Sequence, residues 1–468
     1  MTPQSLAHRS NAARSESPER TGRTVVVGLG RTGLSCARNK DARGIDLAVD
    51  DRRAAPPENQ AQRQIAPRQD KRIGAFDPAL LDGATRVIAS PGVALDEPFL
   101  QAAAARGIEI VGDIELFVRE AQAPIAAITG TNGKSTVTTL VAAMANAAGK
   151  RAIAAGNLGK PVLDLLDDPV PHIYVLELSS FQLDTTHSLR AAVATVLNVT
   201  PDHMDRYVSL AAYAASKARI FEGCQAAVLN LDDAAVRAMA PNAPNRIGFS
   251  LVRDPAGQGV RMPRAAYYAD TREIDTVLMC RGEPLVAMSE LKIAGLHNAA
   301  NALAALAMCE ALGLARAPCL AALREFGGLA HRSQFVAEVA GVRYVDDSKG
   351  TNVGATLAAV AGMPGSLILI AGGQGKGQDF APLAAAFHGK VRHVVLIGQD
   401  APLIEAALAG VCATERAADM DAAVKAAAQA ARRGETVLLS PACASLDMFR
   451  DYAHRGDVFA ASVRGLSA

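Results

Sequence analysis

Hydrophobic and polar positions follow the same order in three segments of the chain. In each, a short hydrophobic run leads into a glycine-rich turn and then into a stretch with helical spacing; the runs are 24–27, 125–128 and 367–371. Strands that alternate with helices are typical of parallel α/β sheets, whose ligands bind at the carboxyl ends of the strands. The pattern therefore predicts an α/β protein with a ligand site beside each of the three turns.

Two breaks in this pattern divide the chain. Pro124 disfavours a helix in the residue before it, and Gly327 and Gly328 follow an Ala- and Leu-rich helix predicted over 296–312. We expect a disordered tail at 1–22, a Rossmann-like domain at 23–122, a central P-loop-type ATPase domain with a mostly parallel sheet at 123–328, and a C-terminal Rossmann-like domain at 329–468. The polar stretch 58–72 is expected to form a solvated loop or an exposed helix.

The first turn has the sequence GLGRTG at 28–33, and the carboxylates Asp50 and Asp51 follow it. A GxGxxG turn after a strand, with a carboxylate about twenty residues later, is typical of a dinucleotide site in which the carboxylate binds a ribose hydroxyl. Any diphosphate on a ribose fits the same pattern, including a UDP-sugar, and so does a turn with a purely structural role. In the helix that follows, Asn39-Lys40-Asp41 puts a charge where the apolar face would continue.

The second turn has the sequence TGTNGKS at 129–135 and is the strongest single motif. Backbone N–H groups at a helix N-terminus cradle phosphates; Lys134 is expected to reach the β- and γ-phosphate oxygens, and Ser135 to bind magnesium. The general P-loop has a glycine where this chain has Ile128, which indicates a variant loop. The alternative is an isolated glycine turn with an exposed lysine.

Polar side chains follow two further predicted strands. Glu177 comes directly after the hydrophobic run 173–176, and His203 lies in the polar segment 197–206. Each could be a buried or capping group, but beside a phosphate loop they predict a magnesium–ATP site. Lys217 lies in a helical stretch beyond His203, where a surface lysine is the simpler interpretation.

The last third of the chain predicts a second ligand. Thr351, Lys376 and Ser445 follow the predicted strands 342–345, 367–371 and 436–439. A cation and hydroxyl groups at neighbouring strand ends suit a small dicarboxylate. Cys443, beside Ser445, is either a thiol partly exposed near that ligand or a small buried residue.

Composition narrows the class of protein. The 468 residues are 50% hydrophobic and 20% charged, with a formal net charge of +1. These values are typical of a globular protein and give no field that would collect nucleic acid or anionic lipid. The seven cysteines contain no CxxC pair, so neither a zinc site nor a disulfide framework is expected. Because no secretory h-region and no run of about 18 apolar residues occurs, we expect a cytoplasmic protein without membrane insertion.

These motifs, in this order, resemble the Mur ligase family from about Val25 to the C-terminus. The phosphate loop, the Glu177 and His203 segments, LHN at 296–298 with Asn301, and HR at 331–332 follow the family's order. Within the family, ELSSFQL at 177–183, DSK at 347–349 and SPACAS at 440–445 resemble the branch that adds D-glutamate. One departure is Ser333-Gln334, where the family commonly has a bulky residue followed by Glu; it bears on the orientation of Arg332.

The resemblance implies an ATP-dependent amide ligase of peptidoglycan synthesis. UDP-N-acetylmuramoyl-L-alanine would form an acyl phosphate, which the amine of D-glutamate then attacks. The implied cofactors are ATP, two Mg²⁺ ions and a lysine carbamylated by CO2, and a monomer is expected.

The resemblance also assigns site residues. The catalytic residues would be Lys134, His203, Lys217 and Lys349. The ATP-binding residues would be Gly130, Thr131, Asn132, Gly133, Lys134, Ser135, Thr136, Asn298, Asn301, Arg332 and Asp347. The UDP-sugar would contact Gly30, Arg31, Thr32, Asp51 and Arg53, and D-glutamate would contact Thr351, Lys376, Ser445 and Tyr452. The magnesium ligands would be Ser135, Glu177, His203 and carbamylated Lys217.

Three other functions stay open at this point. A nicotinamide-dependent dehydrogenase rests on the GxGxxG turn alone and leaves the Lys134 loop and the last third unexplained. A non-catalytic nucleotide-binding module would bind ATP without turnover. Another Mur ligase, or a folate-polyglutamating ligase of the same family, would differ in the substrates that it joins.

Overall fold

The computed structural model describes residues 22–53, 70–239, 242–253, 266–271, 275–293 and 295–466. These residues form three separate β-sheets that follow one another along the chain. The expected disordered tail lies outside them except for Gly22. Within the described ranges, no helix has both the length and the apolar character needed to cross a bilayer.

The first sheet is parallel, and its described strands have the order β3-β2-β1-β4-β5. The strands are β1 (Arg23–Val27), β2 (Leu47–Asp51), β3 (Asp70–Ile73), β4 (Ala84–Ala89) and β5 (Glu109–Val111). The helices are α1 (Arg31–Ala42), α2 (Pro98–Ala105) and α3 (Asp113–Glu120), with a 3₁₀ turn at Pro78–Leu81. The strand order reverses between β1 and β4, which is where open α/β sheets bind ligands.

The structure bears on two expectations about this unit, the charge in the apolar face of α1 and the polar stretch 58–72. Lys40 lies on the buried face of α1 and is only 1% exposed, so a charged residue does interrupt the apolar face as its sequence predicts. Most of the polar stretch, 58–69, lies outside the described residues. Its last three residues belong to edge strand β3, which pairs with β2, so the expectation of a loop or helix is wrong for them. An exposed strand at a sheet edge tolerates polar side chains because only one neighbour covers it.

The central sheet has the order β14-β13-β12-β11-β10-β9-β6-β8-β7 and is parallel from β12 to β7. Its strands are β6 (Ile125–Thr129), β7 (Ala152–Gly156), β8 (Ile173–Glu177), β9 (Val193–Val196), β10 (Ala226–Asn230), β11 (Asn245–Ser250), β12 (Tyr267–Thr271), β13 (Thr276–Cys280) and β14 (Glu283–Ala287). Its helices are α4 (Lys134–Ala147), α5 (Ser180–Asp184), α6 (Leu210–Ala218), α7 (Ala234–Arg237), α8 (Leu296–Ala311) and α9 (Arg316–Glu325). Short 3₁₀ turns lie at Val162–Leu165, Arg219–Phe221 and Met288–Glu290. Since β6 lies between β8 and β9, the ends of these strands meet at the phosphate loop.

The third sheet has the order β15-β16-β20-β17-β18-β19, in which only the edge pair β15–β16 is antiparallel among the described strands. The strands are β15 (Gln334–Val339), β16 (Val342–Asp346), β17 (Leu367–Gly372), β18 (Val391–Ile397), β19 (Ala413–Arg416) and β20 (Thr436–Leu439). The helices are α10 (Val353–Gly362), α11 (Ala381–Phe387), α12 (Ala401–Ala407), α13 (Met420–Ala430) and α14 (Tyr452–Gly465). Strand β20 lies between β16 and β17, as the dicarboxylate hypothesis requires.

The first two units share one hydrophobic core. Leu34 of α1 and Ile114 and Phe117 of α3 belong to the same buried cluster as Tyr174 and Leu176 of β8. The Phe117 and Tyr174 rings meet edge to face, with centroids 5.0 Å apart. The buried clusters of the third unit, by contrast, contain only residues from Val342 to Val463.

Candidate active site

A cavity of about 410 Å³ lies between the first and central units, at the carboxyl ends of β1 and β4. All five residues assigned to the UDP-sugar line it, namely Gly30, Arg31, Thr32, Asp51 and Arg53. The central unit closes the cavity with residues 156–159, and Arg31 donates to the carbonyl oxygen of Gly159 at 2.9 Å. Gly33 lets α1 approach β1, because a Cβ there would lie 1.9 Å from the Gly28 carbonyl oxygen.

The carboxylate of Asp51 anchors the first turn. Its oxygens accept the Leu29 backbone N–H at 2.6 Å and two N–H groups of the Arg53 guanidinium, from Nη2 at 2.6 Å and from Nε at 2.9 Å. Burial favours the neutral acid, but these donors outweigh it and lower the pKa of Asp51. The pair therefore presents a fixed carboxylate and a half-exposed guanidinium to the cavity, and both can bind polar groups of a nucleotide.

The phosphate loop is held by residues that follow β9. Asn198 accepts the backbone N–H of Asn132 at 2.8 Å and donates to its carbonyl at 3.1 Å, and Thr131 donates to the Thr200 carbonyl. Gly133 begins α4 with a φ of +84°, and a Cβ there would lie 2.4 Å from the side-chain oxygen of Asn301. The loop thus has the bare backbone and helix N-terminus that bind phosphate.

Two lysine side chains converge on one carbonyl oxygen beneath this loop. Lys134 Nζ donates to Gly130 O at 2.9 Å and to Thr131 O at 2.8 Å, and Lys217 Nζ donates to the same Gly130 O at 3.0 Å. Lys217 is 1% exposed, so it is not the surface lysine that its local sequence favours. Burial and the neighbouring Lys134 lower the pKa of Lys217 far below its usual value, and burial also lowers that of Lys134.

Glu177 and His203 lie near the loop in forms suited to a metal. Glu177 Oε1 accepts the Asn157 amide at 2.9 Å, but its buried Oε2 has no hydrogen-bond partner among the described residues. Burial lowers the pKa of His203 to about 4, which keeps its imidazole neutral. No three His, Cys, Asp or Glu side chains of the described ranges converge as a metal cage. Magnesium prefers oxygen ligands, takes few of them from a protein and completes its shell with water and phosphate. The Glu177 oxygen fits this preference, whereas the His203 nitrogen would be an unusual ligand.

A second cavity, of about 920 Å³, lies between the central and third units. It is lined by seven residues assigned to ATP and by Lys349; the seven are Asn132, Gly133, Thr136, Asn298, Asn301, Arg332 and Asp347. The other assigned residues, Gly130, Thr131, Lys134 and Ser135, are their neighbours in the loop. Most of the predicted ATP site is therefore brought together around one cavity.

Arg332 joins the third unit to the phosphate loop. Its Nη2 donates to Ser135 Oγ at 2.9 Å, and burial lowers the pKa of its guanidinium. At the departure Ser333-Gln334, the Gln334 side chain accepts the His331 N–H and the Ser333 N–H donates to Asp347, so both residues tie the Arg332 segment to its surroundings. Burial raises the pKa of Asp347 to about 7, and it accepts a hydrogen bond from Ser440 at 2.8 Å.

Two contacts link the residues assigned to D-glutamate, one between the turns of Lys376 and Ser445 and one between the Thr351 segment and Tyr452. The turn of Lys376 pairs with the turn of Ser445 through hydrogen bonds between Gln374 and Ala444. Thr351 follows Lys349, whose ammonium lies 3.8 Å from the centre of the Tyr452 ring. Burial and the nearby cations Arg332 and Lys134 lower the pKa of Lys349 to about 8.

Some residues of these sites carry no assignment from the sequence. Asn157, Ser90 and Phe76 line the first cavity, and Asp202 holds Lys376 in an ion pair of 2.7 Å. Asn157 and Ser90 stand directly after strands, the same signal that singled out Glu177, so a stricter search of strand ends would have found them. The Cys443 alternatives are also resolved: the side chain is fully buried, and the idea of an exposed thiol is wrong.

Comparison with known proteins places the chain in a family. Residues 22–112 match the Mur ligase MurD-like N-terminal domain, 128–309 the Mur ligase middle domain, and 331–443 the Mur ligase glutamate ligase domain. UDP-N-acetylmuramoylalanine–D-glutamate ligase of Nitrosococcus oceani is 50% identical over 450 residues, covering 96% of this chain and 97% of the relative. The enzyme of the same name from Methylococcus capsulatus is 48% identical over 445 residues, 95% of each chain.

Solved structures share the fold at much lower identity. A pseudomurein peptide ligase type C from Methanothermus fervidus has a TM-score of 0.61 at 18% identity and covers 95% of this chain and 100% of its own. UDP-N-acetylmuramate-alanine ligase from Thermotoga maritima has a TM-score of 0.59 at 18% identity, with the same coverage. Since the three domain models span most of the sequence and the relatives cover nearly all of it, this chain belongs to the Mur ligase family.

Proposed function

We propose that this chain is the ATP-dependent ligase that joins D-glutamate to UDP-N-acetylmuramoyl-L-alanine in peptidoglycan synthesis. Its relatives at about 50% identity over nearly the whole chain carry that name. The observation that carries the proposal is that the central unit forms one cavity with the first unit and another with the third, each lined by residues assigned to a substrate. Asn157, which lines the first cavity, donates to Glu177 at 2.9 Å. Arg332 and Lys376 of the third unit reach the central unit through hydrogen bonds of 2.9 and 2.7 Å.

The first half-reaction transfers the γ-phosphoryl group of ATP to the alanyl carboxylate. Lys134 now rests on two carbonyl oxygens of its own loop, and it exchanges them for the β- and γ-phosphate oxygens when ATP binds. Arg332 and Lys349, which line the same cavity, add positive charge where the transition state gathers negative charge. Such preorganised charge is the main contribution that a protein makes to phosphoryl transfer.

Magnesium would be held by Ser135, Glu177, His203 and Lys217, the last of these as a carbamate. When bound, the ions neutralise phosphate charge and orient the oxygens of the transferred group. The unpartnered Glu177 Oε2 and the neutral imidazole of His203 are the features that support these assignments.

A conflict of charge supports the proposed carbamate of Lys217. Two protonated ammonium groups on the Gly130 carbonyl oxygen repel each other, and no carboxylate is hydrogen-bonded to Lys217 within the described part of the chain. Burial and the neighbouring Lys134 lower the pKa of Lys217, which favours its neutral amine, the form that adds CO2. Addition would give an anionic group with two oxygens, facing Lys134 in place of a second cation.

In the second half-reaction the amine of D-glutamate attacks the acyl phosphate, forming the amide and releasing phosphate. Thr351 and Lys376 would take one carboxylate of D-glutamate, and Ser445 and Tyr452 the other. A neutral analogue such as D-glutamine would leave a buried polar group mispaired, which costs orders of magnitude in specificity.

Phosphate release tests the function directly. We expect release with ATP, Mg²⁺ and UDP-N-acetylmuramoyl-L-alanine only when D-glutamate is added, with D-glutamine at least about tenfold slower and L-glutamate inactive. ADP and the amide product should form in equal amounts. Equal rates with D-glutamine and D-glutamate, or turnover with a folate substrate instead, would refute this substrate assignment.

Lys217→Ala tests the carbamate. The variant should lose most of its activity, and acetate at high concentration should restore part of it by supplying a carboxylate in the vacated space. In wild type equilibrated with ¹³C-bicarbonate, a carbamate carbon signal should appear and be missing from Lys217→Ala. An active, nucleotide-bound wild type with a plain ammonium at Lys217 would contradict the proposal.

Three further proposals concern the domain limits, the oligomeric state and the cellular location. We propose the domain limits 23–122, 123–328 and 329–468, which fall between the three sheets. Assembly of the whole site from a single chain supports a monomer, which sedimentation can test. The use of ATP and a UDP-linked precursor supports action in the cytoplasm.

A further inference from the structure

The proposed amino-acid site lacks a partner for one group of its substrate. D-Glutamate carries two carboxylates and an ammonium, but Thr351, Lys376, Ser445 and Tyr452 offer only a cation and hydroxyl groups. These suit the carboxylates. A buried ammonium needs an anionic or carbonyl acceptor, because an unpaired charge away from water is costly.

Asp202 is a carboxylate that contacts one of these four residues, Lys376. Its Oδ1 lies 2.7 Å from Lys376 Nζ and accepts the His203 backbone N–H at 2.9 Å, and its Oδ2 accepts the Asn352 amide at 3.1 Å. The side chain is 8% exposed. A carboxylate has about four lone-pair positions. In the described part of the chain three take part in hydrogen bonds. The fourth, on Oδ2, takes part in none, and the neighbouring His203 Nε2 lies 3.8 Å from that oxygen.

The orientation of Asp202 is fixed from both sides of the cleft. Asn352 caps α10 by accepting the Ala355 N–H at 2.8 Å, and its amide also donates to Asn132 of the phosphate loop at 3.1 Å. The carboxylate is therefore held between the central and third units, next to the lysine that would take the substrate carboxylate. An adjacent anion and cation match the ammonium and carboxylate of a zwitterionic α-amino acid.

We propose that Asp202 binds the ammonium group of the incoming amino acid through Oδ2, while it holds Lys376 towards the carboxylate. This inference rests on the proposed function, since it names a specificity residue of that same site. Asp202 then makes the site select an α-amino acid over a dicarboxylic acid of the same length. It also brings the attacking nitrogen to the edge of the central unit, where the acyl phosphate would form.

The test compares D-glutamate with glutarate, which has both carboxylates and no amine. Asp202→Asn keeps the shape and removes the charge, and Asp205→Asn is the matched control, since Asp205 is exposed three residues away. In Asp202→Asn we expect the KM for D-glutamate to rise about 10- to 100-fold, the loss expected for a hydrogen bond between charged groups. The inhibition constant of glutarate should rise by no more than about threefold, because glutarate has no ammonium and loses only the orientation that Asp202 gives to Lys376. Asp205→Asn should change neither.

Equal weakening of both ligands would mean that Asp202 only orients Lys376, and it would overturn the proposal; so would an unchanged KM for D-glutamate. Thermal unfolding and the KM for ATP report whether the variant folds. If Asp202→Asn does not fold, Asp202→Glu keeps the charge, and we expect it to favour D-glutamate over glutarate as wild type does. Loss of that preference in folded Asp202→Glu would also refute the idea. Failure of the proposed function is a separate result, because wild type would then not use D-glutamate.

Discussion

Gly156 is a position near the proposed metal ligand Glu177 where adding a single methyl group should strongly reduce stability. It ends β7 with a φ of +100°, and a Cβ there would lie 2.2 Å from the backbone carbonyl oxygen of Glu177. That carbonyl already accepts the Asn157 N–H at 2.8 Å, and Asn157 holds the Glu177 carboxylate. The Gly156→Ala methyl therefore meets backbone, which has no rotamer by which to move away.

Comparison with Gly149 separates two contributions to the loss of stability, the strained backbone conformation and the steric overlap. Gly149 follows α4 with a φ of +77°, and a Cβ there would meet no atom within 4 Å. Gly149→Ala should therefore lose only the conformational term, about 1–2 kcal/mol. Gly156→Ala should lose that plus about 1–3 kcal/mol for overpacking. The methyl group should also displace Glu177, the proposed magnesium ligand. A displacement of about 1 Å in an active site can lower kcat about 100-fold.

Urea unfolding followed by a probe in the central unit, together with phosphate release, measures both effects. Gly149→Ala should keep near-normal kcat. Equal losses of stability in the two variants would show that the Glu177 carbonyl yields without cost, and it would refute the argument from backbone contact. A normal kcat in folded Gly156→Ala would mean that Glu177 does not need this turn.

Two further predictions concern charges at the ATP site. Lys134→Ala should fold normally and lose phosphate release almost completely, because removing such a preorganised charge costs on the order of 3 kcal/mol in the transition state; near-normal turnover would refute the assignment. The free energy of unfolding of Asp347→Asn, measured relative to wild type, should increase as the pH rises from about 5 to 8. Burial raises the pKa of Asp347 from 3.8 to about 7, so the native state binds its proton where the unfolded state has released it, and wild type loses stability across that interval. Thermal unfolding of both proteins at each pH checks this, and a difference independent of pH would contradict it.

The sequence predicts the elements of this fold well where short hydrophobic runs end in polar residues. The strands beginning near Thr24, Ile125, Leu367 and Thr436 form as expected, and α8 ends one residue earlier than predicted. Strand ends also mark where functional groups lie, because parallel strands bring their carboxyl ends to one edge. The assigned UDP-sugar residues share one cavity for this reason, although their contact with that ligand stays a prediction.

Long-range pairings are harder to predict because local spacing carries no information about them. Lys217 looks like a surface residue in its own helix, yet packing against the phosphate loop buries it. Asp202 and Lys376 are 174 positions apart and meet only when the third unit docks. Strand β3 was missed because edge strands lack the hydrophobic signal that buried strands carry.

The division of hydrophobic cores has a consequence for movement. The first two units share buried apolar surface, so separating them exposes that surface to water at a high free-energy cost. The third unit keeps its buried clusters to itself and meets the central unit through polar groups such as Arg332, Asn352 and Lys376. Water can replace each such hydrogen bond at a net cost of about 1 kcal/mol. We therefore expect the third unit to be the part that moves away to admit substrates and release product, and the first two to move as one body.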